Sequence, residues 1–377
     1  MPDPAEAPPH LLHVFSTFAV GGPQTRFVAL ANALRDRYRH TILAMDGNHA
    51  AAEGLDKALD CTIATMPVVK SGAISLANLR HARALLRRLR PDLLVTYNWG
   101  TIEWSLANWP ALAPHVHIED GFGPDESPAQ QNFRRVVTRR VLLSQCARII
   151  VPSHVLYDVA TRRWRLPPRR VLHLANGIDC DRFAAPPDRT LIAALGLDDD
   201  RPVIGTVTGL RPEKNLRRLV RIFAALPRTL GARLVIVGEG PDRGAVKDEA
   251  ARVGTIDRIV MTGALAEPER ILGRFAVFAL TSDTEQMPNS ILEAMAAGLP
   301  IVATDVGDLK RMVAPENAPF ILPLAPETGL TDALLHLLGD DGLRAQIGSS
   351  NRRHVRSHYR LETMVERYDA VFSGRDR

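Results

Sequence analysis

Cysteine is scarce in this chain, with three residues in 377, Cys61, Cys146 and Cys180. They stand in no disulfide or metal-ligand spacing, which fits a reducing compartment and leaves no reason to expect a bound metal. No apolar run approaches the ~20 residues that span a bilayer. The opening MPDPAEAPPH does not read as a secretory signal. These absences point to a cytoplasmic protein. No recognised nucleic-acid-binding motif accompanies its basic stretches, so nucleic acid is not an expected partner.

Charge is present but uneven. Residues 1–178 hold 21 Lys and Arg against 14 Asp and Glu, whereas residues 179–377 hold 26 against 28. The basic clusters are RHARALLRRLR (80–90), RRVVTRR (134–140) and TRRWRLPPRR (161–170). One reading is a set of solvated helix faces. The other, suggested by the interleaved Leu, Val and Trp, is attachment to an anionic membrane surface, which would make the protein peripheral at the inner face of the cytoplasmic membrane.

A length of 377 residues suits two domains rather than one core. In the first half, apolar runs such as LLHVFST, HTILAMDG, PDLLVTYN, HVHIED and ARIIVPS alternate with helical segments. The second half repeats this with PVIGTVTGL, ARLVIVGEG, DRIVMTGAL, FAVFALTS and PIVATDVG. Strand–helix alternation predicts α/β architecture with parallel sheets covered on both faces. The junction falls in LANGIDCDRFAAPPDR, where Asn176-Gly177 makes a turn and Pro186-Pro187 begins a stiff connector. The expected domains are 1–178 and 179–355, followed by a C-terminal helix over 356–377 returning to the first domain. Ligands of open parallel sheets bind beyond the strands' carboxyl ends, which places the expected site in a cleft between the two domains.

The segment TEQMPNSILEAMAAGLP (284–300) puts Glu285 and Glu293 on either side of Pro288. On one continuous helix, residues eight positions apart would point roughly 80° from each other and lie about 12 Å apart along the axis. Proline is tolerated in a first helical turn and pushes the preceding residue towards extended backbone. Glu285 is therefore expected in the loop and Glu293 a turn inside the helix. Between them the amides of Asn289, Ser290 and Ile291 lack intrahelical acceptors at the positive end of the dipole, a place for a phosphate. Flanking carboxylates do not bind a phosphate; they accept hydrogen bonds from hydroxyl groups on either side of it. A sugar nucleotide has that layout. The alternative is a solvated Glu285 and a Glu293 favoured merely by the helix dipole.

Five segments in order, GGPQTRF, LANGIDCDRF, GTVTGLRPEKNLRRL, LVIVGEGPDR and SDTEQMPNSILEAMAAGLPIVATDVG, extend a likeness over nearly the whole chain. It resembles the GT-B glycosyltransferases, specifically glycosyltransferase family 4, retaining enzymes that use nucleotide sugars. The last segment carries that family's Glu-x7-Glu motif. The resemblance implies two Rossmann-like, doubly wound parallel-sheet domains, with the acceptor bound by the first and the nucleotide sugar by the second. It implies that Gly21 and Gly22 approach the donor diphosphate, that Lys214 pairs with it, that Glu293 takes the ribose hydroxyls and that Glu285 binds the transferred sugar. The Asn289 and Ser290 amides would cap the phosphate, with Met287 and Pro288 beside the donor. Gly238, Gly240 and the segment Gly263 to Leu265 would line the nucleotide pocket.

Two positions depart from the family pattern. An arginine expected five residues before Lys214 is replaced by Gly209; Arg211 is either its substitute at the diphosphate, where a planar fork suits phosphate oxygens, or a surface residue. In HVHIEDGFGPDE, Asp120 takes the place of a histidine near the transferred sugar. His117 shares a strand face with Glu119, opposite to that of Asp120. Asp120, Glu285 and Lys214 are the expected catalytic residues, Asp120 alternatively making an Asx turn. Asn98, Trp99, Glu119 and Asp120 are the expected acceptor contacts, with Trp104 either beside them or buried.

The expected activity is hexosyl transfer from a nucleoside diphosphate sugar, UDP- or GDP-linked, to an acceptor hydroxyl, with retention and without metal or other cofactor. A lipid-linked sugar or glycolipid in cell-surface polysaccharide assembly is the expected acceptor. The alternatives are a nucleotide-sugar epimerase of similar shape and a non-catalytic sugar-nucleotide sensor.

Overall fold

Short apolar runs form the strands, because strands of a parallel sheet are buried on both faces. The computed structural model describes residues 7–69, 74–122 and 126–376; most of the opening segment and part of the HVHIEDGFGPDE loop lie outside them. The chain divides into Met1–Asn176 with Met364–Arg377, and Gly177–Thr363.

The first unit's sheet contains β1 (His10–Phe15), β2 (Arg39–Ala44), β3 (Cys61–Ala64), β4 (Leu93–Tyr97), β5 (His115–Ile118), β6 (Arg148–Val151) and β7 (Val171–His173). Their order is β3-β2-β1-β4-β5-β6-β7, with parallel pairing throughout. The second unit holds β8 (Val203–Val207), β9 (Arg233–Val237), β10 (Ile259–Gly263), β11 (Val277–Leu280), β12 (Ile301–Thr304) and β13 (Ile321–Leu322), in the order β10-β9-β8-β11-β12-β13. Strand order reverses between β1 and β4 in one sheet and between β8 and β11 in the other. These two switch points are where an open parallel sheet receives ligands.

The helix Leu216–Ala224 starts at Asn215, whose side chain accepts from the Arg218 amide. It buries Leu216, Leu219, Val220, Ile222 and Phe223 against Ile204, Leu234 and Val277, each such side chain stabilising by roughly 1.5–3 kcal/mol. In the first unit, Leu12, Val14, Leu94 and Trp104 share one cluster. Trp104 is thus core rather than acceptor surface.

Five histidines, His10, His13, His40, His115 and His117, are buried in the first sheet. Each has a polar partner on at least one ring nitrogen: His10 Nε2 meets Thr41 Oγ1 at 2.8 Å, His13 Nε2 meets His40 Nδ1 at 3.0 Å, and Thr96 Oγ1 bridges His115 and His117 at 2.8 Å each, while His10 Nδ1 and His40 Nε2 are buried without one.

The division between units falls at Asn176/Gly177 rather than 178/179, because Ile178 already belongs to the second unit. Its amide donates to the Tyr359 carbonyl at 2.9 Å and its carbonyl accepts from Leu361 at 3.0 Å. The returning segment begins at Met364, not 356, since the helix Asp341–His358 lies in the second unit. Within the first unit, Tyr38 Oη donates to Asp369 Oδ1 at 2.7 Å, holding that segment.

Candidate active site

The loops leaving β8 and β11 are knitted together. Asn215 Nδ2 donates to both carboxylate oxygens of Asp283 at 3.1 Å, and the Asp283 amide donates to the Glu213 carbonyl at 2.8 Å. Arg218 adds Nη2 to Asp283 Oδ1 at 2.7 Å. This lacing brings Lys214 Nζ to 2.6 Å from Glu285 Oε1, with side chains 12% and 8% exposed. Ser282 Oγ donates to the same oxygen at 2.7 Å. Two residues expected to serve different parts of a ligand are therefore each other's partners here.

Glycine at 307 lets a third loop support this arrangement. Gly307 has φ +60, and a Cβ there would lie 2.4 Å from the Glu285 carbonyl. The next amide, that of Asp308, donates to the Gln286 carbonyl at 3.1 Å. The helix that follows runs Asn289–Ala296, with extended Pro288 as its N-cap and no side-chain cap. The Ile291 amide already donates to the Pro288 carbonyl at 3.2 Å. Ile291 is thereby withdrawn from the expected donor trio, because the first turn closes on Pro288; Asn289 and Ser290 remain at the helix start, after Met287.

Loops after β8, β9 and β10 form the neighbouring wall. A Cβ on Gly238 would sit 1.9 Å from the Thr208 carbonyl, and one on Gly240 2.3 Å from the Leu210 carbonyl. The Gly238 amide donates to the Gly263 carbonyl at 2.9 Å, and Leu265 follows half-buried. Backbone packing therefore requires the glycines at 238 and 240. Arg211 pairs with Glu213 at 3.0 Å and is more than half exposed. Yet a Cβ on Gly209 would meet Arg211 Nε at 3.7 Å, so the guanidinium folds back beside the glycine.

Glu293 lies in the second turn of its helix, half-buried. Burial raises its carboxyl to about 7, against the opposing pull of Arg182 and with a further push from Glu269. Arg182 pairs with Glu269 at 2.7 Å, from the short helix Cys180–Phe183. Arg182 lies in the segment LANGIDCDRF, where nothing in the residue type or spacing marks it as a partner of Glu269, 87 residues further on.

In the first unit, the switch-point segments are 16–21 after β1, leading into the helix Gly22–Ala33, and 98–101 after β4. Gly22 has open space where a Cβ would stand, whereas a Cβ on Gly21 would lie 2.9 Å from Gln24 Oε1. The Asp120 amide donates to Asn98 Oδ1 at 2.7 Å, and Asn98 adopts φ 60. The Asp120 carboxylate is gripped by Arg26, whose Nη2 donates to Oδ2 at 2.9 Å and whose Nη1 reaches Oδ1. Arg26 was missed, since an arginine on a helix reads as solvated.

Glu119 does not face an acceptor. It is 0% exposed, with Oε2 3.3 Å from His117 Nε2 and 3.7 Å from Arg139 Nε. Arg139 is equally buried; its guanidinium lies 4.9 Å from the Trp99 ring and 4.7 Å from Trp164. Trp99 thus packs against arginine, and one member of the RRVVTRR cluster is core rather than surface charge.

Residues 20–182 match the family model described as Glycosyltransferase Family 4, and residues 201–340 match the one described as Glycosyl transferases group 1. The chain belongs to glycosyltransferase family 4. This family 4 member is 32% identical over 190 residues to a GDP-mannose-dependent alpha-mannosyltransferase of Mycobacterium tuberculosis, a match covering 49% of this chain and 47% of the relative. It is 25% identical to the 2-deoxystreptamine N-acetyl-D-glucosaminyltransferase of Streptomyces fradiae, over 91% of each chain. The chain spans about half the length of the first curated relatives it matches. Its fold is that of Anabaena Alr3699/HepE in complex with UDP-glucose, with TM-score 0.82, 17% identity and coverage of 97% of this chain and 99% of that one. The architecture is accordingly GT-B, two Rossmann-like parallel-sheet units.

Proposed function

We propose that this protein transfers a hexosyl unit from a nucleoside diphosphate sugar to an acceptor hydroxyl, with retention of anomeric configuration and without a metal. The observation that carries this reading is the meeting of Lys214 and Glu285 at the β8/β11 switch point, beside the start of the helix Asn289–Ala296. The donor diphosphate rests on the Asn289 and Ser290 amides and draws Lys214 to its oxygens, with Arg211 and the Gly21-Gly22 loop also approaching it. Glu285, released from the lysine, accepts from hydroxyls of the transferred sugar, and Glu293 accepts from the ribose. Gly238, Gly240, Gly263 and Leu265 line the nucleotide side.

The bond between the anomeric carbon and the leaving phosphate oxygen breaks as the bond to the acceptor oxygen forms on the same face. The acceptor's proton passes to the leaving phosphate. Lys214 and the helix dipole stabilise the charge that develops there. Asp120 offsets positive charge at the anomeric carbon. No protein nucleophile takes part.

A lipid-linked acceptor at an anionic membrane surface fits the first unit. Phe133, Val137 and Val141 are 79%, 38% and 56% exposed and recur every fourth residue on the helix Phe133–Leu143, next to exposed Arg134. Apolar residues in a row beside cations suit a headgroup boundary. Among the described residues no helix is long and apolar enough to cross a membrane. Relatives named for GDP-mannose and a structural neighbour holding UDP-glucose differ in both base and sugar, so the donor is proposed only as a class.

The test is a thermal-shift panel of nucleoside diphosphate sugars, followed by release of nucleoside diphosphate with and without a lipid or glycan extract. A ligand at 100 times its dissociation constant stabilises by roughly 2.7 kcal/mol. Release that requires the extract supports transfer. Donor isomerisation without acceptor would indicate an epimerase, and binding without turnover a sensor.

A further inference from the structure

Arg26 sits on the helix Gly22–Ala33, with its side chain 3% exposed. Its guanidinium reaches Asp120 through both terminal nitrogens, and Nη1 also donates to Asn176 Oδ1 at 2.9 Å. One face lies 5.8 Å from the centroid of the buried Tyr368 ring. Burial, the largest influence, works against the charge on this arginine, but Asp120 together with Tyr368 and Tyr97 outweighs it, and the net effect is to hold the guanidinium more firmly protonated. From the other side, Asn98 fixes the backbone of Asp120 at 2.7 Å. Main chain and carboxylate are thus held independently, by the loop after β4 and by the helix after β1. A planar arginine fork fixes the plane of a carboxylate as well as its position, which a lysine cannot do.

We infer that Arg26 is a positioning residue of the transfer reaction: it clamps the Asp120 carboxylate in one orientation and leaves the remaining lone pairs to the reacting sugar. This rests on the role proposed above for Asp120. The arginine itself touches no substrate; it acts through the aspartate, and misplacing a reacting group by about 1 Å can cost on the order of 100-fold in rate.

The test measures kcat, donor and acceptor KM and thermal midpoint for Arg26→Gln, Arg26→Lys, Asp120→Asn and the double variant Arg26→Gln/Asp120→Asn. Arg26→Gln is expected to lower kcat per folded molecule roughly 10- to 100-fold with donor KM changed less than about threefold. Arg26→Lys, which keeps the charge for folding, should recover only part of that rate. The double variant should be no slower than Asp120→Asn alone, because effects that pass through one group do not add. A merely structural arginine would instead lower the melting temperature with kcat per folded molecule unchanged, or multiply with the aspartate effect; either result overturns the clamp. If Asp120→Asn itself keeps wild-type kcat, the role proposed for Asp120 fails, and the clamp with it. If that variant is impaired while Arg26→Gln and Arg26→Lys are not, only the clamp fails.

Discussion

Lys214 Nζ and Glu285 Oε1 lie 2.6 Å apart at the carboxyl ends of β8 and β11, a lysine and a glutamate that neutralise one another where the account places a diphosphate and a sugar. A buried pair broken by removing one member leaves an uncompensated charge, which costs about 3–5 kcal/mol in well-buried cases. In the proposed transfer this pair would supply both a cation for phosphate and an acceptor for hydroxyls.

Lys214→Met should lower kcat by roughly 100- to 1,000-fold, the usual effect of losing one donor to a developing anion. It should also lower the ligand-free melting temperature, because Glu285 is left without its cation. Glu285→Gln should weaken binding of the sugar nucleotide while leaving free nucleoside diphosphate bound nearly as in wild type. Calorimetric titration of both ligands checks this; equal losses for the two would refute the division of labour.

Glu293 predicts a pH dependence. Burial, the largest influence, raises its carboxyl from an ordinary 4.5 to about 7, so the folded state holds a proton that the unfolded chain has released. The stability this contributes is complete below about 4.5 and is lost as pH rises through about 7. Accepting two ribose hydroxyls needs the carboxylate, so nucleotide affinity should rise over the same interval. Titrations between pH 5.5 and 8 should show that rise in wild type and a flat profile in Glu293→Gln.

The buried histidines act in the opposite direction. Burial lowers His40 to about 4, with His10 adding to it, and lowers His115 to about 3, with His117 adding to it. The unfolded chain takes up these protons near 6.5 and the folded state resists, so stability is complete above about 6.5 and falls as pH drops towards those lower values. Denaturant midpoints measured from pH 7 to 4 should decline, and His40→Gln should make the decline shallower.

Glycines separate structural from ligand roles. Gly238→Ala would force a Cβ against the Thr208 carbonyl at φ +143 and should destabilise by roughly 1–3 kcal/mol or more. Gly22→Val meets open space, so its melting temperature should stay near wild type while donor affinity falls. Differential scanning fluorimetry with and without donor distinguishes the two.

Much of this was legible in the sequence. Every strand proposed from an apolar run is a strand, whereas β3, β7 and β13, of four, three and two residues, went unnoticed because short edge strands carry too little pattern. Alternation along β5 correctly put His117 and Glu119 on one face, but alternation says nothing of depth, and Glu119 proved sealed in beside Arg139. Lys214 and Glu285 were both singled out, yet their pairing was not, because residues 71 apart in sequence meet only through the strand order β8-β11. The same holds for Arg26 and Asp120, 94 residues apart, which follow β1 and β5 and are brought near by the strand order β1-β4-β5. Residue type and local spacing reveal which groups can do chemistry; the switch points decide which of them touch.

The most direct test is a crystal of this protein soaked with a nucleoside diphosphate sugar. The account predicts diphosphate oxygens within hydrogen-bonding distance of the Asn289 and Ser290 amides, with Lys214 turned from Glu285 to the phosphate and Glu285 on the sugar. A nucleotide bound elsewhere, with the lysine still seated on the glutamate, would contradict it.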